Sequence, residues 1–409
     1  MGVENNISNE WSESTLGDLI THKKGFAFKS KDYSKNGRKI VKVKDFTSNS
    51  IDDTECDFIS EELAEGFADY ELKHKDVVIQ TVGSWPSNPA SIVGKVVRVP
   101  QIVEGALLNQ NAVKLNSTKN VDNDFLFYSL IYKRFKSHLI SRAQGSANQA
   151  SITLKDIFDY ELNLPPISEQ KDIAKVLTAF DEKIELLQAQ NKTLETMAQT
   201  IFKDWFGKYQ IGDELPEGWR VGKIGDLTEI KRGGSPRPIK DYISDSGYRW
   251  LKISDATATD SPYIFKIKEH IKIEGLKKTT LKKAGELVLS NSATPGMPKF
   301  LAVDTCIHDG WMHFNNSVAS NEYFYLLFLY IRPRLIQQGS GSVFVNLKTD
   351  ILREFEITIP TKSVFTDFDT LIKPIFDKIY NNAIQIQSLK KTRDTLLPKL
   401  MSGQVRVKV

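Results

Sequence analysis

Two cysteines in 409 residues, Cys56 and Cys306, are too few for a disulfide framework or a four-thiolate zinc site. Histidine is scarce as well: there are six, scattered, and the nearest pair is His308 and His313. Long apolar runs are missing. The densest, Tyr323 to Ile331, falls well short of the ~20 residues that span a membrane. The opening stretch MGVENNISNEW carries neither the basic nor the apolar part of a secretion signal. Asn6 also stands where a myristoylation signal needs Ser or Thr. The expectation is a soluble, cytoplasmic chain without membrane contact. Charge of one sign hardly dominates: 55 Lys+Arg against 51 Asp+Glu leave +4, which suits a nucleic-acid face without requiring one. Apolar residues at 40% and charged residues at 26% are ordinary for a folded chain long enough for two or three domains.

Catalytic signatures are also lacking. Gly94-Lys95 runs into Val96 without an upstream glycine, so there is no phosphate-binding loop of the P-loop kind. No G-x-S-x-G elbow and no H-E-x-x-H helix occurs. Asn88-Pro89-Ala90-Ser91 falls short of the Asn-Pro-Pro-aromatic motif of amino methyltransferases. Asp57 with Glu71-Leu72-Lys73 imitates a nuclease pattern, at a spacing that chance supplies readily. No catalytic residue and no metal ligand is assigned.

What the chain does have is itself, twice. Trp11, Leu16-Gly17-Asp18-Leu19 and Lys23-Lys24-Gly25 return 208 residues later as Trp219, Ile224-Gly225-Asp226-Leu227 and Lys231-Arg232-Gly233. Lys42-Val43-Lys44-Asp45 and Asp76 to Ile79 return at an offset of 210 as Lys252-Ile253-Ser254-Asp255 and Glu286 to Leu289. Gly145-Ser146 and Asp156-Ile157 return 194 residues on, so the second copy is the shorter. Short β-branched runs at Ile40 to Val43, Val77 to Ile79, Ser91 to Val99 and Glu286 to Leu289 predict strands. Asn123 to Leu139 and Glu322 to Ile336 predict helices late in each copy.

Each copy ends in a heptad segment. Ile173, Leu177, Phe180, Ile184, Leu187, Asn191, Leu194, Ala198, Ile201 and Trp205 alternate spacings of four and three. Phe368, Ile372, Ile375, Ile379, Asn382, Ile386, Leu389, Arg393, Leu396 and Leu400 do the same. A sustained 3.5-residue period predicts a coiled coil. Ser168 is expected to cap the first helix, and Pro374 to start or kink the second, which ends near Pro398. Antiparallel end-to-end overlap puts Asn191 opposite Asn382, a polar layer that fixes register at some cost in stability.

The expected layout is a lobe at 1–167, a helix at 168–206, a linker at 207–217, a lobe at 218–360, a helix at 361–401 and a tail at 402–409. The class is α+β: two tandem pseudo-repeated lobes separated by two long helices forming an antiparallel coiled coil. The lobes carry polar loops at matching places. The first has Gln80, Ser84, Trp85 and Asn88, then Asn109-Gln110-Asn111, then Arg142, Gln144 and Asn148. The second has Asn291 and Ser292, then His308, Asp309 and Trp311, then Gln338 and Asn346. Asn and Gln can pair with adenine and Arg with guanine. Lys24, Lys42, Arg232, Arg237 and Lys252 are candidates for phosphate contacts.

The chain resembles, over its whole length, the specificity subunit of type I restriction–modification enzymes. The resemblance lies in W-x5-G-D-L from Trp11 leading into Lys24-Gly25-Phe26-Ala27-Phe28-Lys29-Ser30, and in Pro89 to Lys95 followed by Leu107 to Val113. It continues in Leu164-Pro165-Pro166-Ile167-Ser168-Glu169-Gln170, Leu215 to Trp219, and Leu396 to Gly403. The second copy departs from the pattern: no Phe-Ala-Phe follows Gly233, and His308-Asp309-Gly310 replaces Asn-Gln-Asn. The resemblance implies two target-recognition domains that each read half of a bipartite, asymmetric site in double-stranded DNA. It also implies two modification subunits that bind S-adenosylmethionine and methylate adenine, and restriction subunits that use ATP and Mg to translocate and cleave. Those cofactors belong to the partners. A seam from Ile173 to Trp205 is about 50 Å long at ~1.5 Å per residue, more than one DNA turn of ~34 Å. Two other classes stay open: a self-contained methyltransferase or nuclease with degenerate motifs, and a coiled-coil scaffold without DNA affinity.

Overall fold

The computed structural model describes residues 11–86, 92–146, 148–338 and 346–407. The chain divides into two compact units, Met1–Ile184 with Ser388–Val409, and Glu185–Gln387. Each unit holds one lobe and one stretch of both long helices.

In the first lobe the buried run Val77-Val78-Ile79 forms the strand Val77–Gln80 at the heart of a four-stranded antiparallel sheet. Its order is Ile20–Lys24, Ala112–Ser117, Val77–Gln80, Val96–Arg98. A second sheet runs Tyr33–Ser34, Asp57–Ile59, Arg38–Val41, Leu107–Leu108, its last pairing parallel. Ser12–Thr15 pairs with Glu161–Leu164, so the lobe's first strand and last close on each other just before the long helix. The expected strand over Ser91 to Val99 shrinks to Val96–Arg98. Gly94 takes a φ of +77°, and a Cβ there would lie 2.8 Å from Leu139. The expected helix over Asn123 to Leu139 is two, Asn123–Ile131 and Lys133–Arg142, parted where Tyr132 turns extended at ψ 137°.

The second lobe repeats this plan and enlarges it. Its central sheet runs Glu229–Arg232, Trp311–Asn315, Leu287–Ser290, Pro298–Leu301, with Tyr263–Ile264 added in parallel at the edge. Its second sheet runs Ile243–Ser244, Glu269–Ile271, Tyr248–Leu251, Thr305–Ile307, and gains Thr280–Lys282. Arg220–Lys223 pairs with Glu356–Ile359 as the closing ladder. The helix Asn321–Gln338 lays Tyr323, Phe324, Leu327, Phe328 and Ile331 into the core of this unit.

The long helices are Ile167–Phe206 and Lys362–Met401. Ser168 is not the cap of the first: Gln170 N–H already donates to the Pro166 carbonyl at 3.0 Å, so Ser168 lies inside the first turn. Pro374 does not start the second, which begins at Lys362 and continues through Pro398 to Met401. An internal proline costs about 3 kcal/mol. Burial of Phe368, Ile372, Phe376 and Ile379, each at 0–1% exposure, offsets it. Gly403 closes the helix at a φ of +70°, its N–H donating to the Leu400 carbonyl.

Within the second unit the helices run antiparallel: Asn191 meets Asn382, and Trp205 meets Phe368 with ring centroids 5.7 Å apart. Asn382 Nδ2 donates to Asn191 Oδ1 at 2.9 Å, and Asn191 Nδ2 donates to the Ile379 carbonyl at 3.2 Å. Near the end of the first helix the buried stripe drifts off the heptad. Phe202 and Phe206 are buried, whereas Ile201 and Trp205 are half-buried. A straight helix with 3.6 residues per turn slides past a 3.5 repeat, and here the lobe's aromatic core takes up the slack.

Candidate nucleic-acid interface

In both lobes a glycine sets the loop geometry. Gly25, at the end of Ile20–Lys24, donates its N–H to the Ala112 carbonyl at 3.0 Å, and a Cβ on it would lie 2.1 Å from the Asn109 carbonyl oxygen. Gly233 donates to the Trp311 carbonyl at 2.9 Å, and its Cβ would lie 2.4 Å from the His308 carbonyl oxygen. The strand therefore passes directly under the loops Asn109 to Asn111 and His308 to Gly310, which occupy equivalent places.

A second shared device joins these loops to the ones that follow. Thr81 N–H donates to the Asn111 carbonyl at 2.9 Å, and the Thr81 carbonyl accepts from Ile152 N–H at 3.0 Å. Asn291 N–H donates to the Gly310 carbonyl at 2.9 Å, and the Asn291 carbonyl accepts from Leu347 N–H at 2.8 Å. One residue past the central strand thus holds two loops together in each lobe. Thr81 escapes a sequence reading because its part is played by backbone groups that every non-proline residue has.

Around Thr81, the hairpin Gln144–Ser146 with Gln149–Ser151 pairs onto Val82–Gly83. Trp85 Nε1–H fastens it by donating to the Ser146 carbonyl at 2.7 Å. Gln144 and Asn148 are exposed on this hairpin, and Arg142 is exposed at the end of the helix leading into it. Gln110 and Asn111 are half-buried. Lys24 is exposed one residue before Gly25, and Lys42 follows Val41, whose carbonyl accepts from Asn109 N–H at 3.0 Å. The loops and lysines of the first lobe therefore border one polar area.

Three proposed contacts in this lobe point inward instead. Gln80 is fully buried, with Nε2 donating to the Val82 carbonyl at 2.8 Å, and Ser84 and Asn109 are also buried. A base edge cannot reach side chains inside the sheet, so these three shape the loops from below. Asn88 lies outside the described residues. Phe26 packs with Phe28, Phe67 and Tyr70, lying 4.6 Å from Phe67 by ring centroids, and Phe28 packs with Phe67, so the two phenylalanines serve a core cluster while Ala27 is exposed.

In the second lobe Asp309 gathers the site. Its carbonyl accepts from Arg232 Nε and Nη2 at 3.1 and 2.7 Å and from Asn291 Nδ2 at 2.9 Å. Its carboxylate accepts from Ser235 Oγ at 2.5 Å, with Arg237 Nη2 at 3.5 Å. The Ser235 hydrogen bond holds the Asp309 carboxyl below the usual carboxylate range. His308 turns its Nδ1 back to accept from Gly310 N–H at 2.7 Å, and burial pushes its pKa down. Arg232, Arg237, Lys252 and Asn346 are exposed, and Ser292 and His308 are half-buried. Asn291 is buried beneath the loop, and Trp311 is a core residue at 0% exposure whose Nε1–H donates to the Leu251 carbonyl at 3.3 Å. An indole wholly inside the sheet offers no face to a base, so Trp311 leaves the set of contacts. The side chain of Gln338 lies outside the described residues.

The nuclease-like acids are engaged separately, Asp57 by Lys42 and Lys44 and Glu71 by Arg38. Among the described residues, no cluster of three or more His, Cys, Asp or Glu is placed to hold a metal. No helix among them is long and apolar enough to cross a membrane. What both lobes offer is exposed or half-buried amides, hydroxyls and cations on a doubly tied frame.

The family model of the type I restriction modification DNA specificity domain matches residues 8–196 and again 216–393. The chain belongs to this family. Both copies of the domain therefore span a lobe and part of the helix that follows it. The specificity subunit of the type I restriction enzyme MjaIX from Methanocaldococcus jannaschii is 27% identical over 322 residues, 73% of each chain. That of HindI from Haemophilus influenzae is 22% identical over 364 residues, 69% of this chain and 77% of its own. A solved type I restriction–modification S subunit from M. genitalium shares the fold at a TM-score of 0.58 and 16% identity, with 98% of both chains covered. At the join into the first long helix the Glu169-Gln170 pair acts as a clasp. Gln170 Oε1 accepts from Asp122 N–H at 2.9 Å, and its Nε2 donates to the Pro165 carbonyl at 2.9 Å. Glu169 accepts from Trp11 Nε1 at 3.1 Å and pairs with Arg406.

Proposed function

We propose that this chain is the non-catalytic, DNA-reading specificity subunit of a type I restriction–modification complex. Each lobe reads one half of a split target, and the two long helices, paired as an antiparallel coiled coil registered by Asn191 and Asn382, set the unread gap. The observation that carries this reading is the repeated loop frame with unlike contents. Thr81 and Asn291 make the same pair of backbone bonds, yet one frame displays Gln110, Asn111, Gln144 and Asn148 and the other His308, Asp309, Arg237 and Asn346. Equal frames with different side chains suit two different half-sites, hence an asymmetric target. Exposed cations beside the loops suit phosphate contacts that orient the duplex.

In this reading S-adenosylmethionine, ATP and Mg are bound by partner subunits. Two modification subunits dock on the exposed faces of the helices, and restriction subunits join them. Co-expression with the modification subunit, followed by single-molecule mapping of methylated adenine, tests it. A split, asymmetric motif that appears only with this chain is the expected result. A continuous motif would discard the two-lobe division. No methylation beside an active modification subunit would discard DNA specificity. Insertion of one heptad into both helices should lengthen the gap, and an unchanged gap would discard the spacer role.

A further inference from the structure

Lys42 and Lys252 stand at the same point in the two lobes, each just after the strand that abuts the loop Asn109 to Asn111 or His308 to Gly310. Val41 pairs with Leu108 and Leu251 with Ile307, in parallel in both cases. On the strand's other side the antiparallel partner supplies a carboxylate. Ile40 faces Asp57, and Trp250 faces Glu269. Lys42 Nζ lies 2.8 Å from Asp57 and Lys252 Nζ 2.5 Å from Glu269. Below each pair the backbone is braced alike, with Lys42 N–H donating to Asp45 at 2.8 Å and Lys252 N–H to Asp255 at 3.1 Å.

These pairs are open to solvent: the four side chains are 25–46% exposed. Ion pairs so exposed add little stability. Stability alone is thus a weak reason for the arrangement to recur in two lobes that diverge around it, once with Asp and once with Glu. On a surface meant for a polyanion the placement has a cost, because each carboxylate occupies a lysine and repels phosphate. The copies also differ in one informative way. In the first lobe Asp57 holds a second lysine, Lys44, at 3.4 Å, whereas Ser254 stands at that place in the second. The hydrogen bond from Lys42 keeps the Asp57 carboxyl below the usual range, so it stays ionised.

We infer that Asp57 and Glu269 are specificity determinants. Each withholds its lysine from the DNA backbone until a duplex seats against the neighbouring loop, where a phosphate takes the carboxylate's place. This rests on the lobes being the DNA readers proposed above. Loose, unseated duplexes then meet a neutralised pair in the second lobe, and in the first a trio that has one positive charge fewer than its lysines.

The test is the salt dependence of binding by the full chain to a short duplex of random sequence, for wild type, Asp57→Asn and Glu269→Gln, with thermal melting alongside. Each variant removes one compensating carboxylate, so the slope of log affinity against log salt should steepen by about 0.9 for Glu269→Gln and for Asp57→Asn alike. Non-specific affinity should rise by roughly three- to ten-fold at low salt. Unchanged slope and affinity in folded variants would overturn the inference and leave the pairs as struts. A wild type that binds no duplex would overturn the DNA reading itself, and this inference with it. The two variants lie in different lobes, so if one unfolds the other decides the outcome.

Discussion

The two lobes are built alike and fastened differently. In the first unit the lobe packs on Ile173, Leu177 and Leu400 of the long helices and adds a set of charged and hydrogen-bonded ties. Asp181 accepts from the Tyr128 hydroxyl at 2.7 Å, lies 3.8 Å from Arg98 and pairs with Arg393 of the second helix. Gln170 and Glu169 add their clasp on the same helix. In the second unit the Tyr325 hydroxyl donates to Glu195 at 2.7 Å and Ser320 Oγ to Asp369 at 2.6 Å, and packed rings take a larger share of the contact. Phe206 packs on Tyr323 at 5.2 Å and Phe368 at 4.8 Å, and Phe365 on Tyr323 at 4.8 Å. Phe365 occupies the place that Gln170 holds in the first copy. A duplicated fold can thus keep its backbone plan while shifting the balance from directional fastenings toward volume-filling ones. The two kinds should fail in different ways.

The largest expected loss comes from the aromatic side. Phe202→Ala, at a site of 1% exposure, should cost about 3–5 kcal/mol, read by urea melts. Phe202→Leu should recover most of it, since volume is what matters there. Next comes Asp181→Ala, which takes one acceptor from Arg98, Arg393 and the Tyr128 hydroxyl, leaves Arg98 with Asp124 and Arg393 with Asp394, and should cost about 2 kcal/mol. Here an apolar replacement such as Asp181→Leu should rescue nothing. Equal rescue in both units would erase the distinction. A smaller effect of opposite sign is expected where the helices meet. Asn191→Leu with Asn382→Leu should raise stability by about 1 kcal/mol and loosen register, seen as multiple conformers by cysteine cross-linking across the pair.

The smallest effect is a pH response that sharpens the contrast within the second lobe. Burial lowers the pKa of His308 and His313 below the usual 6.5. The unfolded chain then takes up protons at higher pH than the folded one. Stability is unaffected above about 6.5 and falls as pH drops from there toward the lowered values. Hydrogen exchange in Leu287–Ser290 and Trp311–Asn315 at pH 7.5 and pH 5.5 should register this, and His308→Asn should remove part of it.

Much of this architecture is legible in the chain. Heptads place the asparagines, and the repeated W…G-D-L and K-x-x-D frames place both lobes, because periodicity and local capping leave marks in residue type. Other features leave none. The bonds of Thr81 and Asn291 are made by backbone atoms. The partners of Gln170, from Asn120 to Pro165, converge only after the lobe closes. Trp311 follows a polar loop and reads as a contact, yet the parallel pairing of Leu251 with Ile307 folds the sheet over it. Pro374 reads as a start or a kink, and the helix instead begins twelve residues earlier, at Lys362, with the buried neighbours of Pro374 offsetting the missing hydrogen bond.

A frame tied by N–H and C=O groups has a further property: substitution barely touches it. At 81 or 291 only proline deletes the backbone donor, other changes costing at most the side-chain bond to Asn111 or Asp309, and at 110, 144 or 309 a side chain can be exchanged while the backbone bonds beneath it persist. Each lobe is in that sense a socket that accepts new inserts one residue at a time. Variation can search for new contact surfaces there without first having to solve the folding problem again.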